Sequence, residues 1–141
     1  MLGQINIVST PIGNLKDITL RAIETLKSVD LILAEDTRVA KKLLQSFSIK
    51  NNLESFSEIN EDSKNERLIE KLKQGNSIAI ISDAGTPLIS DPGYKLIRCA
   101  RQENIKITPV PGCTAVIASL SASGISTDKF TFLGFLPRTK I

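Results

Sequence analysis

Histidine is absent from the 141 residues, and with it go imidazole general bases, Ser-His-Asp triads and the common zinc sites. Any catalysis must come from carboxylates, lysine, backbone amides or a cofactor. Tryptophan is absent too, and aromatics make up only 4%. The 41% hydrophobic content therefore rests on Ile, Leu, Val and Ala, a composition that suits a sheet covered by helices better than an aromatic-rich sandwich. The two cysteines, Cys99 and Cys113, lack metal-ligand spacing and are too few for a disulfide framework, so a reducing cytoplasm is the expected setting. No basic leader with an apolar run follows Met1, and no stretch approaches bilayer length, so no membrane association is expected. No G-x-G-x-x-G follows the first apolar run and no Walker A lysine is present, which disfavours dinucleotide and triphosphate cradles. A net charge of +3 is too small to argue for a polyanionic partner by itself.

What is present alternates between two periods. Apolar runs at Ile5–Ser9, Leu31–Ala34, Leu53–Phe56, Ser77–Ser82, Ile105–Val110 and Phe130–Phe135 predict strands. Between them, Ile18, Ala22, Leu26 and Val29 share a helical face with Asp17 as its cap, and Val39, Leu43, Leu44 and Phe47 share another capped by Thr37. Ser63 and Glu66 fit a capping box for a helix that buries Leu68, Ile69 and Leu72 and stops at Gly75. Asp91-Pro92 fits the start of a helix burying Leu96, Ile97 and Ala100, and Thr114–Ser123 predicts a last short one. Strands joined through helices of this length need crossover connections, so the expected fold is a single α/β domain with a mostly parallel sheet flanked by helices.

In such a sheet, ligands bind where loops leave the carboxyl ends of the strands. The first loop, Thr10-Pro11-Ile12-Gly13-Asn14, is a stiff turn opened by a glycine; it also reads as an ordinary connection. The fourth, Ser82 to Gly93, packs two Gly, two Pro, two Asp and several hydroxyls into a rigid, polar-lined loop, more than a crossover needs. The fifth, Pro109 to Thr114, repeats the proline-stiffened turn before a helix, with Cys113 as a small wall residue. Glu35-Asp36-Thr37-Arg38 follows the second strand and reads either as helix-end charge matching or as a carboxylate and guanidinium at a cleft mouth. Asn60-Glu61 invites the same pair of readings, a solvated loop being favoured.

The collinear strings STPIGNLKDITLRAIETLKSVDLILAEDTR, ISDAGTPLISDPGYKLI and PGCTAVIASLSASGISTDKFTFLGFLPR together closely resemble the tetrapyrrole methylase superfamily, and within it the bacterial enzymes that methylate cytidine 2′-hydroxyls of small-subunit ribosomal RNA. The resemblance implies a two-domain α/β methyltransferase binding S-adenosylmethionine between its domains, of which residues 1–136 resemble the N-terminal one and 137–141 the start of a linker to a missing C-terminal domain. By motif it implies cofactor contacts at Pro11, Ile12, Gly13, Asp83, Gly85, Thr86, Ile89, Cys113 and Thr114, with Cys113 standing where similar enzymes carry Pro or Val. Partners implied are ribosomal RNA or the small ribosomal subunit and a second copy in a homodimer.

Transfer from a sulfonium needs alignment of the acceptor oxygen and a place for its proton, not a metal. Glu35, Asp36 and Arg38 are the catalytic candidates, with Arg21, Lys41 and Lys42 as possible phosphate contacts. Methylation of a tetrapyrrole or a protein on the same fold, and a catalytically incomplete fragment acting as an interaction module, stand as alternatives.

Overall fold

A computed structural model describes residues 1–136. The expected linker start at 137–141 lies outside the described residues. Eleven elements follow one another: β1 (Gln4–Val8), a 3-10 turn (Leu15–Asp17), α1 (Leu20–Ser28), β2 (Leu31–Ala34), α2 (Thr37–Ser46), β3 (Leu53–Ser55), α3 (Glu61–Lys73), β4 (Ser77–Ile81), α4 (Tyr94–Gln102), β5 (Lys106–Val110) and α5 (Ala115–Ala122). All strand pairs are parallel, in the order β3-β2-β4-β1-β5. The α/β expectation is met.

Both faces of the sheet are covered, which is why β4 reads as an uninterrupted apolar run. On one face Val8, Ile32, Ala79 and Ile81 pack against Ala22 and Leu26 of α1 and Ala40 and Leu44 of α2. On the other, Ile5, Leu33, Ile78 and Ile80 pack against Leu68 and Leu72 of α3 and Leu96 and Ala100 of α4. The chain therefore leaves β1 across one face toward β2, and leaves its neighbour β4 across the other face toward β5. Loops that part in this way open a crevice at the carboxyl edge.

Helix ends correct several expectations. Thr19, not Asp17, caps α1, its Oγ1 accepting from Ala22 N at 3.0 Å; Asp17 is taken up in the 3-10 turn. Asp36, not Thr37, caps α2, accepting from Arg38 N at 2.8 Å. The Ser63–Glu66 box does not form, because α3 starts three residues earlier, with Asn60 at the N-cap position, and Ser63 Oγ instead donates to the Asn60 carbonyl at 2.9 Å. Gly93 holds the N-cap position of α4 in place of Asp91-Pro92, since a Cβ there would meet Leu88 Cδ2 at 2.5 Å. Gly75 ends α3 as expected: at φ +97 it donates to Leu72 O at 3.1 Å while Asn76 donates to Lys71 O at 3.1 Å, the paired bonds of a Schellman stop.

Glu61 corrects the solvated-loop reading. It is 5% exposed, and its Oε1 accepts from Leu96 N at 3.1 Å, satisfying a free amide in the first turn of α4. The expected strand at Phe130–Phe135 does not form. These residues lie exposed and pair with no strand among the described residues.

Candidate active site at the carboxyl edge

Three of the glycine-bearing turns meet. Thr10 N donates to Gly85 O at 2.9 Å and Gly85 N returns to Thr10 O at 3.1 Å, an antiparallel bridge that ties the β1 turn to the β4 loop. Thr10 Oγ1 also donates to Ser82 O at 3.2 Å. Ser9 Oγ and Thr86 Oγ1 lie 2.9 Å apart, and Thr86 Oγ1 donates to Cys113 O at 3.2 Å, so the β5 turn is joined to the other two. Gly112 has to be small here, since a Cβ would come within 2.8 Å of Ser9 Cβ.

Gly85 adopts φ +86, with Ile12 Cγ2 and Cys113 O at 3.5 and 3.7 Å from where a Cβ would stand. Leu88 and Ser90 hold φ of 74° and 61° without being glycine, so the β4 loop carries two strained backbone positions. Cys113 Sγ lies 3.4 Å from the Asp17 carbonyl.

The predicted cofactor residues fall into two groups. Ile12, Gly85, Thr86 and Cys113 gather on the β5 side of the Thr10–Gly85 bridge, with Thr114 following as the residue before α5. Pro11, Gly13 and Asp83 line a cavity of about 240 Å³ on the α2 side. Ile89 belongs to neither; it stands 56% exposed further along the loop.

The carboxylates differ sharply. Asp36 accepts from Arg38 N at 2.8 Å, Nε at 3.1 Å and Nη2 at 2.7 Å, and the side-chain bond from Arg38 followed by the backbone bond hold its carboxyl well below the ordinary value. Glu35 moves the other way. It borders a narrow crevice with Phe56, Pro87 and Asp91, and desolvation, then the charges of Asp83, Asp91, Glu58 and Asp36, raise it. Asp91 is raised by burial, with Asp83 adding to it. Asp36 N donates to Asp83 Oδ1 at 3.3 Å, joining the β2 and β4 loops. Of the two candidate bases, Glu35 thus has the more basic carboxylate and the fewer commitments. Arg38, its side chain 87% exposed, points its guanidinium at Asp36. Arg21, Lys41 and Lys42 are all exposed, and only Lys42 of the three borders the cavity.

Sequence reasoning missed Ser9, Thr10 and Ser82, three buried polar residues that knit the turns. Their signal was available as hydroxyls placed directly after apolar strands. No group of three or more metal-ligating side chains gathers among the described residues, and no helix among them is long and apolar enough to cross a membrane.

This sheet with its joined turns is that of a known methylase fold, and the chain belongs to the tetrapyrrole (corrin/porphyrin) methylases, whose family model matches residues 4–139. Among individual proteins, it is 52% identical over 138 residues to the ribosomal RNA small subunit methyltransferase I of Halalkalibacterium halodurans, covering 98% of this chain and 48% of that protein. The protein of the same name from Haemophilus influenzae is 55% identical over 137 residues, with 97% and 48% covered. The chain thus spans about half the length of the curated relatives it matches. In structure it resembles diphthine synthase, with a TM-score of 0.70 at 16% identity over 88% of this chain and 50% of that one. Uroporphyrin-III-C-methyltransferase from Thermus thermophilus gives 0.66 at 24% identity over 89% and 55%. At such identities the likeness concerns the fold.

Proposed function

We propose that the chain is the N-terminal domain, residues 1–136, of an S-adenosylmethionine-dependent methyltransferase acting on the ribose 2′-hydroxyl of a cytidine in small-subunit ribosomal RNA. The observation that carries this reading is the convergence of the β1, β4 and β5 turns into one joined wall, in a chain more than half identical to relatives named for ribosomal RNA methylation. The wall suits a cationic donor: the Cys113 carbonyl lies beside Gly85, whose missing side chain admits close approach, and the negative end of that carbonyl favours positive charge. S-adenosylmethionine, when bound, supplies a methyl group already activated on a sulfonium.

The chain's own residues then orient the acceptor and manage one proton. Glu35, its affinity for a proton raised by desolvation and neighbouring carboxylates, takes the proton of the attacking hydroxyl. Arg38 exchanges its Asp36 partner for a backbone phosphate, with Arg21, Lys41 and Lys42 adding positive charge along the approach. Ile12, Gly85, Thr86, Ile89, Cys113 and Thr114 form this domain's part of the cofactor wall, completed by a C-terminal domain. A small ligand deprived of half its enclosure loses much of its affinity, so the isolated chain binds weakly. The complete protein works in the cytoplasm as a homodimer.

Tritiated methyl transfer tests this reading. The chain alone and the chain joined to the C-terminal half of the Haemophilus influenzae relative are each given small ribosomal subunits, a tetrapyrrole and a protein acceptor. Label in ribose of the RNA from the joined protein, and little from the chain alone, is the expected result. Label on the tetrapyrrole or the protein with none on RNA overturns it.

A further inference from the structure

The cavity on the α2 side of the Thr10–Gly85 bridge has a chemistry of its own. Its walls are largely aliphatic, supplied by Pro11 and Leu15 of the first turn and by Val39 and Leu43 of α2. Two charged groups reach it, Lys42 from α2 and Asp83 from the β4 loop. Asp83 spends Oδ1 on Asp36 N and leaves Oδ2 without a partner among the described residues, while Lys42 forms no ion pair among them. At about 240 Å³ the space falls below the roughly 300–1,000 Å³ of sites that enclose drug-sized ligands, so it takes one ring and not a whole nucleoside cofactor. Gly85, Thr86, Ile89, Cys113 and Thr114 do not line it.

We propose that this cavity is the slot for the base of the target nucleotide, and that Asp83 and Lys42 select cytosine over uracil. The inference rests on the RNA-methylating reading and adds where and how the acceptor is held. Aliphatic walls take the faces of an unstacked pyrimidine, as enzymes that act on a nucleotide drawn out of its stack require. A free carboxylate oxygen accepts from the 4-amino group, which cytosine carries and uracil replaces with a carbonyl; an ammonium donates to the ring carbonyl both share. Uracil would set its carbonyl against the Asp83 carboxylate, leaving both acceptors unsatisfied. The Asp36–Asp83 contact places the slot beside the Glu35–Arg38 segment, where the sugar and phosphate of a nucleotide held by its base would emerge.

The test is methyl-resolved NMR of the 141-residue chain, titrated separately with cytidine 5′-monophosphate, uridine 5′-monophosphate and S-adenosylhomocysteine. The cytidine nucleotide is expected to shift the Leu15, Val39 and Leu43 methyls, with the uridine nucleotide binding about tenfold more weakly. Val39→Trp fills the slot and abolishes that response. Asp83→Asn brings the two nucleotides to within about threefold of each other and keeps the response readable if the tryptophan variant fails to fold. No response to the cytidine nucleotide, equal affinity for both in the parent chain, or shifts of these same methyls by S-adenosylhomocysteine would overturn the slot. A cytidine response with no S-adenosylhomocysteine response anywhere supports the slot, weak cofactor binding by the isolated chain being expected, while the RNA-methylating reading is decided separately by the methyl-transfer assay.

Discussion

Residues up to Val110 and residues from Ala115 to Leu136 behave as two different kinds of chain. In the first, Ile5, Leu26, Ile32, Leu68, Ile78 and Leu96 are fully buried, each between the sheet and a helix. In the second, α5 buries no residue although Ser119 and Ser121 are its only polar side chains, and Phe130, Leu133, Phe135 and Leu136 stand 52%, 89%, 84% and 88% exposed. Not one charged residue occurs from 107 to 127. A helix with no charged face and mostly apolar side chains suits a covered position, and exposed apolar surface of this extent marks a contact. Since the family model runs through both regions, the difference separates two tasks within one pattern: the earlier residues close a core, and the later ones provide apolar surface for a further contact.

The largest effect expected from that comparison is in stability. Leu68→Ala or Ile5→Ala should lower the unfolding free energy by about 2–5 kcal/mol, the cost of a cavity in a closed core. Leu133→Ala should change it by no more than about 0.5 kcal/mol, as at exposed positions elsewhere. Urea titrations of the chain measure both; an equal loss at Leu133 would erase the distinction. A smaller effect belongs to the seam between the regions. Thr86→Val removes the hydroxyl that reaches both Ser9 and the Cys113 carbonyl, and should cost about 1 kcal/mol while loosening the turn before α5, visible as faster amide exchange at Thr114 and Ala115.

The smallest effect is in pH. Glu35 and Asp91 are raised, so their ionisation weighs against the folded state at neutral pH, and that burden lifts as pH falls through the raised values toward the ordinary 4.5 and 3.8. Asp30, lowered chiefly by the Ser77 amide, and Asp36, lowered by Arg38, contribute stability that is complete above 3.8 and lost as pH falls through their folded values. Thermal melts across pH should therefore peak on the mildly acidic side of neutrality. Glu35→Gln should flatten the rise from neutrality toward that peak, and a profile that keeps its slope would remove Glu35 from the account.

The sheet and its helices were legible because burial leaves a direct trace: two-sided strands are continuous apolar runs, and covering helices repeat every three to four residues. Caps were misplaced by one or two positions at Asp17, Thr37 and Asp91 because neighbouring residues were equally capable, and the choice is made by which side chain reaches a free amide. The Phe130–Phe135 alternation has the local look of a strand, but a strand exists only through a partner, which no local pattern records. At the site, the individual turns could be read from their prolines and glycines. Their joining could not, because the Ser9–Thr86 contact spans 77 positions and the Asp36–Asp83 contact 47. The same distance in sequence hid the cavity, whose walls come from three separate segments.

Pro109 carries one more consequence. Val110 turns its carbonyl inward to accept from Ser9 N, so by alternation Pro109 turns its backbone outward, to the free margin of β5. A proline there has no hydrogen to give, which leaves that margin a poor template for annealing another extended segment. Recognition along this margin must consequently rest on shape fit between side chains and not on backbone zippering, which keeps chains from stacking edge to edge while the margin is bare.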